Sequence, residues 1–161
     1  MTDADTRGFE AFFDDEHDRL FRALCLITGD RHEAEEVMQD AFLSVWERWD
    51  QVRSMEDPTG YLYRTAMNGF RRRYRRATLA LRKTVGVGPR QPDFEAIEAR
   101  DAIVRALAEL TPRQRACIVL TDLLDYNSEE AGSMLGVKPS TVRVLTSRAR
   151  AAMKRNLGAM A

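Results

Sequence analysis

Cysteine, histidine and proline are scarce in this chain of 161 residues, and each scarcity removes a class of protein. The two cysteines, Cys25 and Cys117, lie far apart in apolar, helical surroundings. They read as free, buried thiols of a reducing compartment, with a redox disulfide as the lesser alternative. The two histidines, His17 and His32, have no ligand spacing with those cysteines and read as surface residues, so no metal and no cofactor is expected. No apolar run approaches the roughly 20 residues of a membrane span. The polar, acidic start MTDADTRG lacks secretory-signal character, and a cytoplasmic protein is expected. Also missing are a glycine-rich phosphate loop, a carboxylate cluster beside a basic groove and a nucleophile–base pair, so no enzyme is expected. What remains, 44% hydrophobic and 31% charged residues without repeat or low-complexity tract, suits one medium or two small globular domains.

Acids and bases balance at 25 each, yet they are segregated. Residues 1–60 hold 6 basic and 16 acidic side chains, and residues 61–83 hold 8 basic and none acidic. Residues 84–137 hold 5 and 9, and residues 138–161 hold 6 and none. Two purely basic stretches in an otherwise acidic chain point to two separate contacts with a polyanion. The acidic remainder discourages indiscriminate binding.

The second basic stretch belongs to the clearest unit, Tyr126 to Arg155. Asn127 caps a short helix with Glu130 reaching back, and Ala131, Met134 and Leu135 form its apolar face. Gly136 falls where a helix end takes a left-handed residue, Val137 fills the turn, and Pro139 suits the first position of the next helix. There Val142, Leu145, Ala149 and Met153 make an inward stripe, leaving Arg143, Ser147, Arg148, Arg150 and Lys154 outside or on its flanks. This is a helix-turn-helix whose second helix can enter a major groove. An ordinary helical hairpin with a solvated basic face is the plainer alternative.

Earlier in the chain, residues 9–27 form a helix with Phe9, Phe12, Phe13, Leu20, Phe21, Leu24 and Ile27 on one face. After Thr28 and Gly29, a capping box of Asp30 and Glu33 starts a helix reaching to about Trp49. Ala34, Val37, Met38, Ala41, Phe42, Val45, Trp46 and Trp49 keep its helical rhythm, and acids crowd the other side. Leu43 lies off the stripe among those acids. It is either an isolated exposed leucine, which is common, or the centre of a partner-binding face.

Asp57 and Pro58 start the next helix, with Leu62, Ala66, Gly69 and Phe70 inward. Tyr61, Arg64, Asn68, Arg71 and Arg75 form one outward stripe, widened by Arg72, Arg73 and Arg76. Guanidinium groups meet phosphates, while a ring and an amide receive bases, so this stripe suits nucleic acid. Residues 84–95 carry two glycines and two prolines without periodicity and read as a linker. From Ala96 a helix bears Ile97, Ile103, Val104, Leu107 and Leu110. Thr111, Pro112 and Gln114 cap the following one, which carries Cys117, Ile118, Leu120 and Leu124. The expectation is an all-α chain: two small helical domains, 1–83 and 96–161, joined by a flexible linker at 84–95, with no further domain after residue 161.

Four stretches in this order, GDRHEAEEVMQDAFLSVWERW at 29–49, DPTGYLYRTAMNGFRRRYRR at 57–76, LTPRQRACIVL at 110–120 and the helix-turn-helix, resemble bacterial RNA polymerase sigma factors of the extracytoplasmic-function (ECF) group, which keep only sigma regions 2 and 4. The resemblance covers nearly the whole chain. It implies that Glu36, Gln39, Asp40, Leu43 and Trp46 bind the clamp coiled coil of the polymerase largest subunit. By the same match, Arg53 and Ser54 in the loop at Val52–Met55, with Tyr61, Arg64, Asn68, Arg71, Arg72 and Arg75, open the promoter −10 element and hold its non-template strand. Lys138, Ser140, Thr141, Arg143, Val144, Ser147, Arg148 and Arg150 would read the duplex −35 element. The chain departs from the family pattern at Gly60–Tyr61, at Lys138 and within Arg143–Arg150. The implied partners are core RNA polymerase, promoter DNA as duplex and as single strand, and an anti-sigma factor as in many relatives; nucleoid association accompanies activity. A helix-turn-helix repressor or activator that never meets polymerase is the rival reading. It accounts for the second basic stretch and leaves the first, with the acidic helix, unexplained.

Overall fold

The computed structural model describes residues 2–83 and 102–159. All regular structure among them is helical. The order is α1 (Asp3–Thr28), α2 (Arg31–Glu47), α3 (Trp49–Val52), α4 (Pro58–Lys83), α5 (Ala102–Ala108), α6 (Pro112–Ile118), a π-helical turn (Val119–Leu123), α7 (Ser128–Leu135) and α8 (Pro139–Ala159). The expected linker at 84–95 and the start of the helix beyond it, Ile97 included, lie outside the described residues.

Three local outcomes differ from the sequence reading. Helix α1 begins six residues early because Thr2 and Asp5 form a full capping box. The long second helix breaks at Arg48, whose φ of −119° and ψ of 22° leave the helical region, so Trp49 heads the separate one-turn α3. The helix after Pro112 widens into a π turn, closed by Leu124 N–H donating to the Val119 carbonyl at 3.0 Å. The expected caps are present at Thr111–Gln114 and Asn127–Glu130, and the Asp30 carboxylate accepts from the Glu33 N–H at 3.1 Å.

The helices of the two segments share one apolar core. Leu20, Leu24 and Ile27 of α1, Val37 and Val45 of α2, and Leu62, Tyr63, Ala66 and Met67 of α4 are continuous with Cys117, Leu120, Met134, Leu135 and Val142 of the C-terminal helices. Tyr63 and Met67, off the face that periodicity assigns to the interior, are fully buried. The reason is a second neighbour: α4 packs on α2 with one side and on α7 with another. Tyr63 meets Tyr126 across this seam with ring centroids 5.8 Å apart. Arg115 of α6, 3% exposed, donates its Nε to the Ile27 carbonyl at 2.9 Å and a terminal nitrogen to the Leu110 carbonyl at 2.8 Å. Burial lowers its pKa to about 10, so it stays cationic at neutral pH.

Cys25 and Cys117 are both buried free thiols, as their apolar surroundings require. Burial raises each pKa to about 11. At pH 8 the reactive thiolate is then about a hundredfold scarcer than in an ordinary cysteine. Alkylation of the native protein at pH 8 is expected to be slow at both positions and to become rapid in denaturant. Native labelling at the denatured rate would contradict this burial.

Candidate nucleic-acid interfaces and the acidic helix face

In the helix-turn-helix, Gly136 closes α7 with φ of 65°, a left-handed conformation that glycine adopts without a Cβ clash. Gly132 matters sterically: a Cβ there would lie 2.7 Å from the Val137 carbonyl oxygen, so the turn depends on its bare backbone. Val142, Thr146 and Ala149 of α8 are buried, with Leu145 and Met153 half-buried beside them. Lys138, Ser140, Arg143, Val144, Ser147, Arg148 and Arg150 are exposed, and Thr141 is half-buried. Apart from Lys138, which precedes α8, the whole expected duplex-reading set thus lies on that helix. Two of its arginines already meet acids. Arg150 grips the Asp122 carboxylate with two nitrogens at 2.8 and 2.5 Å, and Arg143 stands 3.8 Å from Glu129. The paired guanidinium holds the Asp122 carboxyl below the usual carboxylate range.

On α4, Arg64, Asn68, Arg72 and Arg75 are exposed, while Tyr61 and Arg71 are half-buried. The half-burial of Arg71 comes from α6 and the end of α7. Arg71 lies over Gly136, where an added Cβ would sit 2.5 Å from its guanidinium. A groove beside it is lined by Phe70, Tyr74, Arg75, Pro112, Arg113 and Leu135. The C-terminal helices therefore cover part of the basic stripe of α4. Arg53 and Ser54 are exposed just after α3, but Arg53 pairs with Asp5 and lies 3.3 Å from Asp50. Arg73 departs from the stripe altogether. Its guanidinium turns to α2, 2.6 Å from Glu36 Oε2 and 3.0 Å from Asp40 Oδ2, because those two carboxylates stand one helical turn apart. Hydrogen bonding to Asp40 and Glu36 holds its pKa above the ordinary arginine value.

The face of α2 is as expected from its pattern. Gln39, Asp40 and Leu43 are exposed, Leu43 by 55%, and Glu36 and Trp46 are half-buried. Leu43 stands on a ridge between two grooves. One is apolar, formed by Phe9 and Phe13 of α1 with Phe42 and Trp46. Its wall is stiffened by Phe9 against Trp46, ring centroids 4.8 Å apart. The other is charged: Asp40 and Glu47 face Arg72, Arg73 and Arg76 across it.

Family models for sigma-70 region 2 and sigma-70 region 4 match residues 12–79 and 100–153. The ECF RNA polymerase sigma factor SigM of Mycobacterium tuberculosis is 32% identical over 96% of this chain and 79% of its own length. The chain belongs to the ECF sigma factor family. Among solved structures, the sigma factor RpoE of Bartonella quintana, in complex with the anti-sigma factor NepR, covers 94% of this chain and 98% of its own, with 20% identity and a TM-score of 0.77. CnrH, in complex with the cytosolic domain of CnrY, covers 97% and 91%, with 24% identity and a TM-score of 0.67. These two share the fold.

Within this sigma factor, the sequence reading missed the residues that restrain the basic faces. Asp122, Asp5 and Glu129 contact arginines that are 28, 48 and 14 positions away in the chain. Helical spacing carries no signal for such pairs. Among the described residues no group of acidic, histidine or cysteine side chains could hold a metal ion. Nor is any of their helices long and apolar enough to cross a membrane.

Proposed function

We propose that this sigma factor divides its work along the chain as follows. Residues 1–83 bind core polymerase through Glu36, Gln39, Asp40, Leu43 and Trp46 and hold the melted −10 strand along α4. Residues 84–95 tether residues 96–161, whose α8 reads the −35 duplex. What supports this is the arrangement of three exposed faces on one chain: arginines on α4, arginines on α8, and acids around a leucine on α2. Melting removes bases from the stack at a cost of about a few kcal/mol, which stacking on Tyr61 and contacts from Asn68 and the arginines offset. Binding the open strand then suffices without nucleotide hydrolysis, and polymerase supplies the chemistry. An anti-sigma factor belongs to the same reading, as does nucleoid association in the active state.

The test mixes the purified protein with sigma-free core polymerase and a library of upstream DNA. A complex with promoter-dependent transcripts is the expected result. Tight duplex binding by the protein alone, with no polymerase complex, would replace this reading with that of a repressor. Arg148 is exposed on α8. Arg148→Ala is expected to lower use of the selected promoters by about 10- to 100-fold, the value of one bidentate base contact. Core polymerase affinity stays unchanged; a parallel loss of it would refute the division of roles.

A further inference from the structure

The charged groove between α2 and α4 is where the polymerase-facing and promoter-facing surfaces touch. Its α2 wall carries Asp40 and Glu47, and its α4 wall carries Arg72, Arg73 and Arg76. Of these arginines, Arg73 reaches across to carboxylates, with both ends of its fork used: one nitrogen on Glu36, the other on Asp40. The second oxygen of Glu36 faces His32 at 3.2 Å. Arg72 and Arg76, beside Arg73 on the helix, are exposed.

We infer that Arg73 couples the two binding events: Glu36 and Asp40 hold it in the free protein, and basic groups of the bound polymerase displace it from them toward the DNA strand. This rests on the assignment of Glu36 and Asp40 to polymerase binding. The chemistry is an exchange of like for like. A carboxylate that receives a basic group from the partner no longer needs Arg73, and partly exposed ion pairs exchange readily because solvent screens them. The released guanidinium lies next to Arg72 in sequence and one turn from Arg76, so it extends an existing basic row toward phosphate. The arrangement makes the acids serve twice. They dock polymerase, and while undocked they subtract one cation from the strand-binding surface.

The experiment measures two affinities for each variant of the full chain: for core polymerase, and, without polymerase, for a fluorescent single-stranded oligonucleotide of mixed sequence. Glu36→Gln combined with Asp40→Asn is expected to weaken polymerase binding and to strengthen single-strand binding by about 3- to 10-fold, one added phosphate contact. Arg73→Ala should leave single-strand binding by the free chain unchanged and, added to the double variant, should abolish its gain. Glu47→Gln removes a carboxylate of the same groove that does not hold Arg73, and should change single-strand binding by less than about twofold. An equal gain in the Arg73→Ala background, or from Glu47→Gln, would overturn the inference by showing general charge repulsion. Loss of polymerase binding without any gain would also overturn it, leaving the polymerase assignment intact. Unchanged polymerase binding would sink that assignment instead, whatever Arg73 does.

Discussion

Leu43→Asp is expected to weaken binding to core polymerase by about a hundredfold or more, close to 3 kcal/mol, with the fold left intact. The size of the effect follows from position. Leu43 is 55% exposed, stands between the apolar groove of Phe9, Phe13, Phe42 and Trp46 and the charged groove, and is ringed by Gln39, Asp40 and Glu47. An apolar anchor surrounded by polar groups has the anatomy of an interface centre, where truncation costs most. A carboxylate there would be desolvated on docking without a partner. In the free protein the same change costs under about 1 kcal/mol, from helix propensity and weak repulsion by Asp40 and Glu47. Titration of labelled core polymerase, with a thermal melt of the variant alongside, reads both quantities. Unchanged affinity would remove Leu43 from the interface, and a collapsed melt would make the loss uninterpretable without Leu43→Ala, which keeps the helix and should still cost about 2 kcal/mol.

Arg115→Ala is expected to destabilise the protein by about 4 kcal/mol, a large share of the roughly 5–15 kcal/mol typical of a domain. Two bonds from a charged donor are lost, each worth about 1.5–3 kcal/mol. The Ile27 and Leu110 carbonyls are left buried without that donor. The Ile27 carbonyl lies in the last turn of α1, where backbone acceptors lack helical partners and a nearby cation is favoured. The melting temperature should fall by about 10 °C, at about 2–4 °C per kcal/mol for a chain of this size. Lysine at 115 should recover about half, since one ammonium does not reproduce the two-pronged fork. The sign of any pH effect is fixed by the folded-state pKa of about 10, below arginine's ordinary value. Between those two values the unfolded chain binds more protons, and this group's contribution rises with pH. At neutral pH both states are charged, so the comparison is free of titration. A melting temperature within about 2 °C of the parent would show the fork to be dispensable.

What could be read from the residues divides by distance along the chain. Asn127 with Glu130, Thr111 with Gln114, and Gly136 each act within a few positions, so the helix-turn-helix and its exposed arginines were legible. The stripe on α4 was legible for the same reason, since one helix carries all of it. Arg73 was misread because the acids that turn it lie on another helix, 33 and 37 positions earlier. Tyr63 and Met67 were left off the inner face because a 3.6-residue rhythm reports one buried side, and α4 has two. The contact between the helices on either side of the linker was not legible either: composition marks a linker but not whether the surfaces flanking it are complementary. The π turn has no sequence signal that we can name.

The seam between α4 and α7 also has a thermal consequence for the cover over Arg71. Tyr63, Phe70, Tyr126 and Leu135 meet there, and separating the two helices wets their apolar surface. Wetting apolar surface raises heat capacity, and the attraction that opposes it fades on cooling. Uncovering Arg71 by parting the two helices therefore carries a positive heat-capacity change, and its free-energy cost follows a curve with a maximum, falling away on both cooling and heating.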